Sequence, residues 1–337
     1  MTVLVTGATG FIGSHVTDLL LASGQEPRVL VRPGDSLGSL AGRNVDIRTA
    51  DIIDRVGVSA ALRGVDRVLH CAARTGPWGL ASEYERANVR GLETLVRAAS
   101  LVGVRRIVHV SSITVHGIDI NGEADEAAPF RAEPNPYSQS KVAGERLLER
   151  LIPDQRVQVT IVRPGWVYGP GDRASFARFA RRIESGQMVM IGSGENHLPL
   201  VYVRDVARGI LLASEASGVE GRSYLLVNDE PVTQRGFLTA IAAELDAPVP
   251  TRRIPYRLAV ILAAGAEKLG QLARRSQPPP VTRYGIQLLG GENRFIISRA
   301  RRELGFSPQV DLAEGVWRSV DWYRASYEGS DRAEVRA

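Results

Sequence analysis

The 337-residue sequence predicts an α/β protein, a doubly wound parallel sheet followed by a smaller α+β lobe. Three observations carry this. Residues 2–6 form a short β-rich run that meets a glycine turn and then a helical stretch. Short apolar runs then alternate with helical stretches as far as about residue 170, as strands covered on both faces require. Beyond that point the rhythm breaks.

In order, the first helix is expected over 11–22 and is stopped by Gly24. Strands follow near 27–32, 45–50, 66–71, 106–111 and 157–163, separated by helices near 55–63, 82–102, 137–151 and 174–185. The C-terminal part mixes strand candidates at 188–192, 199–203 and 223–227 with helices at 204–215, 233–245, 256–273 and 311–326. This gives a sheet domain over 1–170, to which the segment near 199–230 returns, a lobe over 171–327, and a polar tail over 328–337 expected to fray.

Composition narrows the class. Hydrophobic residues at 44% and charged residues at 23% are those of a globular protein. The net charge of +5 is interspersed with acids, so no nucleic-acid partner is expected. Cys71 is the one cysteine, which excludes an intramolecular disulfide framework and fits a reducing, cytoplasmic setting. The start MTVLVTGATG shows no secretory pattern, and the longest apolar stretch, Leu258 to Ala266, is far shorter than a spanning helix. The five histidines show no metal-ligand spacing, so no metal is expected.

Gly7, Gly10 and Gly13 lie between the first strand and the first helix. Without a Cβ, the backbone there can approach a pyrophosphate, whose charge then rests on the helix N-terminus, so a dinucleotide site is expected. Thr9, Phe11 and Ile12 complete this turn. At the end of the second strand stands Arg32, where an NAD-preferring site would carry an acid. A guanidinium there favours NADP through its 2′-phosphate, with NAD the alternative if Asp35 serves the ribose. Asp51, with Ile52 beside it, is placed either to receive the adenine amino group or to cap the next helix.

Tyr137 and Lys141 are one helical turn apart and share a face, while Ser111 and Ser112 close the fifth strand at the sheet edge where such folds bind ligands. All but Lys141 and Lys268 of the 42 basic residues are arginine, so a lysine at this place is notable. Lowering a tyrosine pKa by roughly 3 units takes about 4 kcal/mol, which Lys141 and a nicotinamide charge can supply. A serine hydroxyl beside the phenol would hold the reacting oxygen.

Together with Asn88-Val-Arg-Gly91, His70-Cys71-Ala72-Ala73 and Arg163-Pro164-Gly165, these motifs resemble the extended short-chain dehydrogenase/reductases, whose sheet domain is the Rossmann fold. The resemblance implies that Ser112 orients the substrate, Tyr137 is the acid/base, and Lys141 binds the nicotinamide ribose while lowering the tyrosine pKa. It places Cys71, Ala72 and Ala73 along the cofactor and Pro164, Gly165 and Val167 near its carboxamide. Asn88 is similar to an asparagine that props the active-site helix, and also reads as an ordinary helix-interior hydrogen bonder.

Ile113 and Thr114 stand where the 4,6-dehydratases carry an acidic pair, so that elimination is not expected. Trp166 replaces the asparagine of many sugar-nucleotide epimerases and favours an apolar ligand. The stretch from Thr75 to Trp78 and the segment Pro278 to Tyr284 are similar to the 3β-hydroxysteroid dehydrogenase and 2-alkyl-3-oxoalkanoate reductase branch. Arg173 and His197 are candidates for a polar substrate group. The expected activity is interconversion of a secondary alcohol and a ketone on a hydrophobic small molecule, with nucleotide-sugar epimerisation as the alternative and a non-catalytic NADP-binding module a distant third. The resemblance implies a homodimer through the helices near 82–102 and 137–151. The segment 256–275 reads as an apolar lid, a core helix or a contact with a membrane surface.

Overall fold

The computed structural model describes residues 1–120 and 122–334. The chain begins β1 (Val3–Thr6), α1 (Phe11–Ala22), β2 (Arg28–Val31), β3 (Asp46–Thr49), α2 (Arg55–Leu62) and β4 (Arg67–His70). It continues with α3 (Ala81–Tyr84), a π-helical turn (Glu85–Arg90), α4 (Gly91–Val102), β5 (Arg106–Val110), β6 (Glu123–Ala124) and α5 (Pro136–Leu151). Next come β7 (Gln158–Pro164), β8 (Trp166–Tyr168), α6 (Phe176–Glu184), β9 (Met190–Ile191), β10 (His197–Leu198), β11 (Leu200–Tyr202) and α7 (Val203–Glu215). The last part holds β12 (Ser223–Leu226), β13 (Val232–Thr233), α8 (Gln234–Glu244), β14 (Arg253–Ile254), α9 (Tyr256–Leu272), α10 (Arg283–Gly290), β15 (Arg294–Phe295), α11 (Ser298–Leu304) and α12 (Leu312–Glu334).

Seven strands form one parallel sheet in the order β12-β7-β5-β4-β1-β2-β3, as expected for a Rossmann-like α/β fold. The chain runs outward from β1 through β2 to β3, then crosses back to β4 and outward the other way. The order therefore reverses between β1 and β4, and the carboxyl ends of these strands flank a crevice. Side-chain alternation loads both faces: Val3 and Val5 join Val16, Leu20, Val206 and Ile210 of α1 and α7, whereas Leu4 joins Val58, Leu95 and Leu148 of α2, α4 and α5. The outer strand β3 is largely exposed and carries the Asp46 and Arg48 charges, which discourages edge pairing. A third apolar cluster, centred on Tyr168, Phe176, Phe237, Ile241 and Val316, is built from the C-terminal elements.

Several elements differ from expectation. The helix expected over 82–102 is divided by the π-helical turn. The helices α10 and α11 and the two-residue strands other than β9 were not expected, since pieces so short carry no periodic pattern. Helix α12 runs to Glu334, past residue 328 where fraying was expected, and 335–337 lie outside the described residues.

Candidate active site

The glycine turn is held by contacts that leave no room for side chains. A Cβ on Gly7, whose φ is +69°, would lie 2.7 Å from the Ala72 amide nitrogen, and one on Gly13 would lie 2.1 Å from the Gly7 carbonyl oxygen. Gly10 enters α1 in extended conformation, and neither a capping side chain nor an acid occupies the first turn. The first amides of α1 therefore face the crevice without a side-chain acceptor, which fits the diphosphate of a dinucleotide. Thr9, Phe11 and Ile12 are half-buried around this turn, and Phe11 packs beside Gly171 of the opposite wall.

The floor of the crevice is tied to β1. The Cys71 amide donates to the Thr6 carbonyl (3.2 Å) and the Ala72 amide to Thr6 Oγ1 (3.2 Å), with Ala73 following half-buried. On the far side, the Gly165 amide donates to Leu226 O (3.0 Å) and a Cβ there would lie 2.2 Å from Pro199 O. Pro164 thus ends β7 beside Leu226 of β12, with Gly165 against Pro199 just before β11, while Val167 packs on the first core cluster.

Arg32 follows β2 with its side chain 67% exposed, and its guanidinium donates to Asp35 (2.7 Å). Asp51 accepts from Arg86 (2.9 Å). Capping of α2 falls instead to Asp54, which accepts from the Val56 amide. Of the two roles open to Asp51, that one is therefore taken. Ile52 fills the space above Gly91 at the start of α4.

Tyr137 is set at the start of α5 by the Asn135 cap, which accepts from the Ser138 amide, and by Pro136 in the first turn. Ser112 leads out of β5, accepts from the Thr114 amide (3.2 Å) and has its hydroxyl close to the Tyr137 phenol. Lys141 is buried one turn further on, donates to the Val110 carbonyl (2.8 Å) and lies 5.9 Å from the Tyr137 ring centroid. Buried Asn88, in the π-helical turn, accepts from the Arg74 amide (2.7 Å) and donates to Ser140 Oγ (2.8 Å). It joins the loop after β4 to the helix bearing Tyr137.

Burial holds the Tyr137 phenol above its ordinary pKa, opposed by the Ser112 hydroxyl. Burial pushes Lys141 down to about 8, with the Glu145 carboxylate opposing it. Desolvation thus dominates at the phenol, and the lowering expected from Lys141 and a nicotinamide charge together is not supplied by the lysine alone. His70 and His109 stack behind Lys141 with ring centroids 5.3 Å apart. Burial and then the Lys141 charge hold both imidazoles neutral, His70 at about 3. The Cys71 thiol is raised to about 12 by burial.

The proposed substrate contacts divide. Tyr84, which lies near Tyr137, donates to the Gly76 and Trp78 carbonyls (2.7 and 2.8 Å) and draws the loop of exposed Thr75 toward the site. Trp78 donates from its indole to the Arg275 carbonyl (3.1 Å) and packs against Gly270 of α9. Trp166 instead turns to the lobe core, against Phe179 and Phe237, with its indole donating to Ser175 (3.2 Å). Arg173 is exposed, and His197 is paired with Glu292 (2.7 Å). Three neighbours carry no assignment from the sequence. Tyr284 of α10 lies beside Thr114 and Tyr137, Tyr84 comes from α3, and Glu145 accepts from Ser111 (2.5 Å). Only Glu145 had a signal, its place one turn beyond Lys141.

Residues 3–226 match the family described as the NAD dependent epimerase/dehydratase family. The chain is 30% identical over 328 residues to a 2-alkyl-3-oxoalkanoate reductase of Stenotrophomonas maltophilia, covering 94% of this chain and 98% of the relative. It is 34% identical over 332 residues to sterol demethylase protein B of Methylococcus capsulatus, covering 96% and 98%. The crystal structure of gox2253 superimposes with a TM-score of 0.81 at 29% identity, covering 97% of this chain and 98% of that one. The chain belongs to the NAD dependent epimerase/dehydratase family, within the extended short-chain dehydrogenase/reductases, and is an oxidoreductase acting on hydroxyl and keto groups.

Proposed function

We propose that the protein interconverts a secondary alcohol and a ketone on a hydrophobic, steroid-like or fatty β-keto-like substrate. The observation that carries this is the convergence of three side chains beside the glycine turn: the Ser112 hydroxyl close to the Tyr137 phenol, and buried Lys141 one turn further along α5, 5.9 Å from the Tyr137 ring centroid. A bound nicotinamide dinucleotide supplies or accepts the hydride. Ser112 holds the substrate oxygen, and Tyr137 gives it a proton in reduction or removes one in oxidation. Lys141 keeps its charge behind the phenol and takes the ribose hydroxyls, while Asn88 holds the helix in register with the cofactor loop. The high phenol pKa suits Tyr137 to donate a proton in reduction, and the lowering that oxidation needs comes with the bound cofactor's charge.

Exposed Arg32 at the end of β2 supports NADP over NAD, because its fork can leave Asp35 for a 2′-phosphate. The names of the two relatives, a 3-oxoalkanoate reductase and a sterol demethylase protein, support an apolar skeleton bearing the reacting oxygen. The deciding experiment incubates the protein with NADPH or NADH and sterol ketones, β-keto acids or sugar nucleotides, and compares cofactor consumed with product formed. Stoichiometric oxidation of NADPH with an apolar ketone is expected. Conversion of a sugar nucleotide with the cofactor returned unchanged would overturn the reading in favour of an epimerase.

A further inference from the structure

Helix α9 is anchored to the walls of the site on one face and bare on the other. Its inward face holds Ala259, Ala263 and Gly270, the last against the Trp78 ring. Its one acid, Glu267, accepts from the amide (2.8 Å) and Nε (2.6 Å) of Arg283, the residue before Tyr284. Outward, Leu258, Ile261, Leu262, Leu269 and Leu272 are between 46% and 73% exposed. At the pitch of an α-helix these five fall in one sector of about 100°, along a rod of about 25 Å. The exposed Arg257 and Lys268 line one edge of that sector, and exposed Arg274 and Arg275 follow the C-terminus. One face of α9 thus meets the lobe core through Ala259 and Ala263 with Tyr256 and Val260, while its leucines and Ile261 face away.

We infer that this face of α9 docks on an anionic phospholipid surface. An apolar stripe edged by cations is the pattern of a helix that lies in the headgroup layer, with the leucines among the acyl chains and the basic groups against lipid phosphates. The charges favour this occupant over a second copy of the chain. Two such faces in contact would set Arg257 and Lys268 against their own counterparts, and the sole acid of the helix is turned inward to Arg283. The placement also has a use. Trp78 on one side and Arg283 with Tyr284 on the other tie α9 to segments beside Tyr137, so an apolar substrate leaving the bilayer would arrive beside the phenol. That route rests on the reaction proposed above, whereas the docking itself does not.

The test is co-sedimentation of the full chain, without substrate or cofactor, with vesicles of phosphatidylcholine alone or mixed with an equal part of phosphatidylglycerol. Binding to the mixed vesicles is expected, weakening as salt rises. The Ile261→Asp/Leu269→Asp variant should lose at least about tenfold in partitioning. Arg257→Gln and Lys268→Gln should each lose about fivefold on the mixed vesicles. All three variants should retain ketone turnover in solution, which shows that they fold. Absence of binding to either vesicle overturns the inference, as does equal, salt-independent binding to both. So does a dimer in sedimentation equilibrium that Ile261→Asp/Leu269→Asp dissolves, since the face would then belong to a second copy. Vesicle binding by a protein that reduces no apolar ketone would leave the docking standing and remove only the reaction.

Discussion

The guanidinium of Arg163 lies 2.6 Å from the carboxylate of Glu145, with side chains only 6% and 1% exposed. Glu145 also accepts from Ser111, and Arg163 donates to His116 Nε2 (3.0 Å) and to the Glu126 carbonyl (3.1 Å). One buried pair therefore braces β5, α5 and β7 behind the Ser112 and Tyr137 hydroxyls. Glu145→Gln strands the guanidinium, and a loss of about 3 to 5 kcal/mol in urea unfolding is expected. A loss under about 1 kcal/mol would mean that the brace is dispensable.

Tyr137→Phe removes the proton donor while leaving the cofactor cradle intact. Turnover should fall by about a hundredfold or more, with NADPH affinity by fluorescence titration unchanged. Unchanged turnover would remove Tyr137 from the proton transfer.

The depressed pKa of Lys141, about 8 against 10.5, has a signed effect on stability. Between these values the unfolded chain binds a proton that the folded chain releases, so this group's contribution is least favourable below pH 8 and improves as pH rises toward 10.5. Lys141→Met should accordingly stabilise the cofactor-free protein at pH 7 by on the order of 3 kcal/mol, and the gain should shrink by pH 10. Urea unfolding of both proteins across this range checks the sign.

Arg32→Ala should weaken NADPH binding by about tenfold or more and leave NADH binding nearly unchanged. Equal losses for the two cofactors would place Arg32 outside the 2′-phosphate site.

Gly13→Ala must displace the Gly7 carbonyl, which a Cβ would approach to 2.1 Å. A loss of about 1 to 3 kcal/mol in stability is expected, together with weaker dinucleotide binding. Calorimetric titration with NADPH reads the second effect.

The parallel sheet was legible because β1, β4, β5 and β7 are buried over most of their length and so read as short, predominantly apolar runs. Ser112, Tyr137 and Lys141 could be picked out because their spacing is local and their order along the strands and helices is informative. Tyr84 and Tyr284 could not, since only the tertiary fold brings α3 and α10 to the start of α5. The outward leucines of α9 resisted for a related reason: an apolar stripe has the same period whether it meets a core or projects from it, and the small Ala259, Ala263 and Gly270 are what this helix buries. The packing of half-buried Trp166 on Phe179 and Phe237 is not legible locally because those residues are distant in sequence.

The π-helical turn at Glu85–Arg90 accommodates one residue more than a regular helix over the same rise. That surplus residue acts as a spacer. Excising Val89 would let the rod rewind and swing Asn88 away from Ser140 and the Arg74 backbone, uncoupling the dinucleotide loop from the reactive helix while leaving every strand in place.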